Sequence, residues 1–181
     1  VGVSAEKRDR NQELWGTLFE GIIQVKRANG SAIESDEGKN KVNLVLTAVE
    51  KPLEEGGDPS GAAWFSLTAG QNLMDADLEF AHELLERSEK VASNLGKLFV
   101  VACASHYRFF VHKQKKTRVD AERALRRAVG GYQRCGVLMR PPLQEQMYRL
   151  IMDVFGQERG QRIFNLTTGI VDPNSLYFGN M

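Results

Sequence analysis

Cysteine is scarce: Cys103 and Cys135 are the two thiols in 181 residues. Two thiols make no disulfide framework of the kind that staples a small secreted domain, so a reduced intracellular (cytoplasmic) protein is the simpler expectation. Long apolar runs are lacking as well. The longest, residues 98–104, falls far short of the roughly 20 residues that span a bilayer, and no charged-then-apolar leader opens the chain. No membrane partner and no secretion are expected. The first residue is Val1, which suits a processed product or a fragment.

Catalytic patterns are equally thin. The Glu79-x-x-His82 pair has the spacing that gives two ligands to a carboxylate-bridged di-iron site, but that site needs a second such pair. His106 and His112 are preceded at the same spacing by Cys103 and Phe109, so half the ligand set is missing and no metal is expected. Cys103 and His106 stand at i, i+3 in an apolar run, which would raise the thiol pKa and leave it inert. The glycine pairs Gly56-Gly57 and Gly130-Gly131 match neither a Walker loop nor a dinucleotide fingerprint. Neither an enzyme, nor a cofactor, nor a small-molecule substrate is expected.

Helical periodicity is what the chain has in quantity. Leu14, Trp15, Leu18, Phe19, Ile22 and Ile23 lie on one stripe of a helix over about 5–26. A polar loop is expected over 28–40, a short helix over 42–49, and a second loop over 51–61, where Pro52, Gly56, Gly57, Pro59 and Gly61 cluster. Trp64, Phe65 and Leu67 suggest a short buried helix or turn. A long helix follows over 72–95, stopped by Gly96, and a mostly buried one over 97–115. Thr117 to Asp120 resembles a capping box opening a helix that should stop at Gly130-Gly131. Pro141 and Pro142 suit the first turn of the next helix; Gly156 breaks it, and a short helix over 158–165 follows. The expected fold is all-α: a single-domain bundle of six to eight helices over 1–169, with polar loops in the first third and an extended C-terminal arm over 170–181. Leu176, Tyr177 and Phe178 on that arm are candidate oligomerisation anchors, since aromatic side chains dominate interface energetics.

Charge is distributed unevenly. Residues 1–95 hold 10 basic and 17 acidic side chains, a net of −7, and residues 96–181 hold 14 and 6, a net of +8. Between 108 and 127, Arg108, Lys113, Lys115, Lys116, Arg118, Arg123, Arg126 and Arg127 face only Asp120 and Glu122. Arg123, Arg126 and Arg127 share an arc of about 100° on one helix, opposite Ala121, Ala124, Leu125 and Ala128. Pairs of Asp120 with Arg123 and of Glu122 with Arg126 would partly neutralise that face.

Surface potential speaks to association, and successive cations can track successive phosphates, releasing a counterion at each. Tyr107, Phe109 and Phe110 interleave with Arg108, and any of them left exposed would stack on unpaired bases. The expectation is a non-enzymatic, self-assembling, nucleocapsid- or coat-like protein that binds RNA or single-stranded DNA, RNA ahead of DNA, through the eight cations. The alternative is a helical adaptor or scaffold whose charged halves meet protein partners.

Overall fold

The computed structural model describes residues 5–28, 30–51, 55 and 57–168, and these form eight α-helices and one 3₁₀ turn without a strand. The chain divides into two compact units, Val1–Val100 and Val101–Met181. The first holds α1 (Ala5–Arg27), α2 (Ala32–Val49), α3 (Pro59–Leu73) and α4 (Leu78–Asn94). The second takes all but the first residues of α5 (Leu98–Gln114), then α6 (Arg118–Arg134), the 3₁₀ turn Val137–Met139, α7 (Pro141–Phe155) and α8 (Gln157–Thr168). The expected arm, 170–181 with Leu176, Tyr177 and Phe178, lies outside the described residues. No helix among the described residues is long and apolar enough to cross a membrane.

In the first unit, the apolar stripe of α1 buries Leu18, Ile22 and Val25 against Val42, Val45 and Leu46 of α2 and Phe65 and Ala69 of α3, with Trp15 stacked on Phe65. Glycine sets how closely the helices approach. A methyl group on Gly38 would sit 2.7 Å from the Gly21 carbonyl oxygen, and one on Gly21 would sit 2.8 Å from the Gly38 carbonyl oxygen. The same device recurs between α3 and α4, where a methyl on Gly70 would meet Leu85 Cγ at 2.7 Å. Polar ties finish the unit: Lys39 on α2 pairs with Asp77 at 2.6 Å, and Arg87 on α4 holds Glu50 through two nitrogens.

The short buried helix or turn expected at Trp64, Phe65 and Leu67 is the 15-residue α3, which starts inside the expected loop at Pro59 and leaves Trp64 exposed. Three further boundaries differ from expectation, each for a local reason. Residues 32–40, expected as loop, belong to α2. Ser31 caps that helix by accepting from the Glu34 N–H, and Gly38 is the contact point with α1 rather than loop punctuation. The helix expected over 72–95 is broken, because Asp77 turns its carboxylate to the Phe80 N–H at 3.0 Å and starts α4 there. Finally, α6 runs through Gly130-Gly131 to Arg134 and ends before Gly136, whose φ is +69°. Gly131 serves packing rather than termination, since a methyl there would lie 2.7 Å from Ala102 Cβ on α5.

In the second unit Phe109, Leu125, Leu138, Met147 and Ile151 are fully buried, with Phe155 and Phe164 closing the cluster. The α6 repeat places Ala121, Ala124, Leu125 and Ala128 inward, as expected from their arc.

The glycine contacts give an expected outcome for two neighbouring substitutions. Gly38→Ala should destabilise the protein by roughly 1–3 kcal/mol, the usual cost of overpacking against backbone. Gly16→Ala, where a methyl meets nothing within 4 Å, should stabilise by up to about 1 kcal/mol through helix propensity. Urea denaturation of both variants checks the sign of each change.

Candidate nucleic-acid interface

The cationic stretch occupies the end of α5, a three-residue connection (Lys115 to Thr117) and the exposed face of α6. The α5 end is closed by the Thr117 N–H donating to the His112 carbonyl at 3.0 Å and the Lys116 N–H to the Lys113 carbonyl at 3.2 Å. This arrangement demands a left-handed residue after the helix. Gly96 and Gly136 take that role after α4 and α6, but after α5 it falls to Lys116, the one non-glycine residue with positive φ (58°) among those described. An L side chain there costs about 1 kcal/mol or more.

The expected capping box does not form. Thr117 makes no side-chain cap to α6. Its hydroxyl instead lies 3.0 Å from Nδ1 of the His112 ring and donates to the His112 carbonyl at 3.3 Å. The turn is thereby fastened to α5, and the first turn of α6 keeps its N–H groups clear of that hydroxyl.

The eight cations fall into groups. Lys113, Lys116 and Arg118 line one cavity of about 360 Å³ together with His112, Phe109, Ala121, Asp153 and Val154. Lys113 pairs with Asp153 at 3.2 Å. Arg123 and Arg127 are exposed on the outer face of α6, Arg123 paired with Asp120 at 3.1 Å as expected. The expected pair of Glu122 with Arg126 is replaced by other contacts: Glu122 binds Arg118 at 3.2 Å and Arg159 of α8 at 3.7 Å. Arg126 lies over the Phe155 ring at 5.1 Å, with Arg159 over the same ring at 5.2 Å. Lys115 is half-buried, and so is Arg108, whose Nε is shielded from solvent.

The ion pairs on this surface are weak restraints. Arg118 and Arg123 are about three-quarters exposed, and exposed pairs contribute roughly 0–1 kcal/mol, less in salt. A phosphate that offers charge-assisted hydrogen bonds can therefore exchange with the half-exposed Asp120 at little cost, whereas Glu122 is more buried and held by both Arg118 and Arg159. The aromatic residues are less available. Phe109 is fully buried and Phe110 packs half-buried on the same cluster, so Phe109 offers no face to a base.

Sequence reasoning missed Arg159. It stands 41 residues from Arg118 along the chain, and only the packing of α8 beside Phe155 brings it to the α6 face. Its one signal is the Gly156 break, which starts a new helix with a cation in its first turn.

Behind this surface, His106 is buried against Tyr107, Phe110 and Tyr132, with Nδ1 3.3 Å from the Tyr132 hydroxyl. That hydroxyl donates toward Cys103 Sγ at 3.6 Å, standing between thiol and imidazole. Burial pushes the Cys103 thiol up, the direction expected of an apolar setting. Among the described residues no three His, Cys, Asp or Glu side chains converge on a point where a metal ion would sit. No family of proteins, curated protein or solved structure matches this chain.

Desolvation without a compensating charge holds the His106 imidazole down to about 4. The unfolded chain takes up that proton near 6.5 and the folded chain not until about 4, so the unfolded state binds more protons in between. Stability should therefore fall as pH drops from 6.5 to 4, by up to about 3 kcal/mol at this site. Urea unfolding at successive pH values should show that slope in the wild type and a shallower one in His106→Leu.

Proposed function

We propose that the chain is a non-enzymatic, self-assembling nucleic-acid-binding protein of the nucleocapsid or coat type, holding single-stranded RNA or DNA along the cationic surface of its second unit. The observation that carries this reading is the match between charge and architecture. Residues 1–100 hold 11 basic and 17 acidic side chains, a net of −6, and residues 101–181 hold 13 and 6, a net of +7. The boundary between the compact units is the boundary between signs.

A compact cationic unit concentrates polyanions at its surface and speeds their encounter. Arg123, Arg126, Arg127, Lys113 and Lys116, supplemented by Arg159, supply the successive phosphate contacts that a strand needs, while Arg108 and Lys115 are the weaker candidates. Units of opposite sign also favour head-to-tail association of copies, a heterologous contact that builds chains or rings. Leu176, Tyr177 and Phe178 would anchor such a contact.

The anionic first unit supports a second reading, in which the protein is an adaptor joining a basic partner to an acidic one. One titration separates the two. Binding of a labelled single-stranded oligonucleotide is followed against salt for the wild type and for Arg123→Ala/Arg126→Ala/Arg127→Ala. The nucleic-acid reading expects a steep salt dependence whose log–log slope shrinks by about 2 in the triple variant, at roughly 0.7 per lost contact on a single strand. Absence of binding in the wild type, or a slope untouched by the triple substitution, favours the adaptor.

A further inference from the structure

We infer that the cavity formed by the end of α5, the start of α6 and the end of α7 binds a phosphate monoester carried on a flat apolar body, the terminal nucleotide of a strand or a free nucleotide. That the body is a nucleobase rests on the nucleic-acid reading above; recognition of the phosphate does not.

Charge is the first argument. Lys113, Lys116 and Arg118 against Asp153 leave a formal +2 around the cavity. A phosphate monoester carries about −1.5 to −2 near neutral pH, whereas an internal phosphodiester carries only −1. The cavity thus matches an end better than the middle of a strand.

Size and lining supply the second argument. At about 360 Å³ the cavity falls within the range of small-molecule sites, and equals roughly a dozen waters in volume. A phosphate alone would leave most of it empty. The remaining wall is the half-buried Val154, with the buried Phe109 and Ala121 beneath it, an apolar patch that takes the edge of a ring and is unsuited to further charge. A monoester joined to a planar body satisfies both parts.

The backbone points the same way. Lys116 holds the left-handed position that glycine fills after α4 and α6, so this helix end retains an ammonium where glycine would be more stable. Backbone strain of this kind clusters at functional sites. Among the described residues no ion pair engages that ammonium. Lys113, by contrast, is shared with an exposed Asp153 that a dianion can displace. Rigid support is present too, since the Thr117 hydroxyl ties the turn to the His112 ring and carbonyl.

The test uses the full chain and four probes: a nucleoside 5′-monophosphate, the nucleoside without phosphate, and one single-stranded oligonucleotide bearing either a 5′-phosphate or a 5′-hydroxyl. Calorimetric titration should give the monophosphate an advantage of about tenfold or more over the nucleoside, the value of one or two charge-assisted hydrogen bonds. Lys116→Gly should abolish most of that advantage while its melting temperature stays equal or rises. That split excludes simple misfolding. The 5′-phosphate oligonucleotide should exceed its 5′-hydroxyl counterpart in the wild type and lose the excess in Lys116→Gly.

Equal binding of monophosphate and nucleoside, or a phosphate advantage that survives Lys116→Gly, overturns the inference. Oligonucleotide binding that ignores the end phosphate, with no advantage of monophosphate over nucleoside, overturns it and leaves the nucleic-acid reading standing. Monophosphate binding that depends on Lys116, with no oligonucleotide bound, upholds the cavity as a free-nucleotide site and removes the nucleic-acid reading.

Discussion

Close approach of consecutive helices at glycine is the constraint on which the rest of this structure depends. It recurs in successive helix pairs: Gly21 with Gly38 between α1 and α2, Gly70 between α3 and α4, and Gly131 between α5 and α6. Gly160 does the same between α7 and α8, where a methyl would meet Met152 Sδ at 2.9 Å and the Ile151 carbonyl oxygen at 3.2 Å. Each glycine costs roughly 0.5–1 kcal/mol of helix propensity. Each also lets backbones pack where a side chain would hold them apart, so the larger apolar residues on either side interlock at interior density. Short connections and local pairing follow, and the chain builds its two cores from neighbours in sequence.

The cationic surface depends on one of those contacts. Gly131 against Ala102 holds α6 on α5, and Tyr132, one residue on, reaches His106 and Cys103. With the two helices fixed there, the connection at the other end of the pair is only three residues, Lys115 to Thr117, and its cations are held on a short leash. Lys113, Lys116 and Arg118 therefore converge on one cavity instead of spreading along a solvated loop. The α6 face then continues the positive surface through Arg126, which Phe155 supports from below, and Arg159 joins from α8. Packing places the charges, and the weak surface ion pairs leave most of them exchangeable.

Much of this was legible in the sequence, and the failures share a cause. The apolar stripes of α1 and α7 and the inward arc of α6 follow from a period that needs no partner to be recognised, although Phe19 and Ile23, placed on the α1 stripe by that period, are exposed. As punctuation, glycine marks the helix ends at Gly96 and Gly156, but Gly38 and Gly131 mark contact with another helix. The local sequence around Gly38 did carry the right signal: Ser31 and Glu34 have the capping-box spacing, and a cap beside a glycine argues for a helix that needs the glycine. Thr117 has a cap's appearance too, yet its hydroxyl goes to His112, a choice that depends on how α5 ends. The cations themselves could be named from composition. Their grouping could not, because Glu122 chooses between Arg118, Arg126 and Arg159 according to where α8 lies.

The most direct measurement of the central claim is hydrogen exchange of the full chain with and without a single-stranded RNA. The account predicts slowed exchange over 112–127 and around Phe155 to Arg162, with the helices of residues 5–94 unchanged. Protection confined to the first unit, or no change anywhere at a concentration where the RNA is bound, would contradict it.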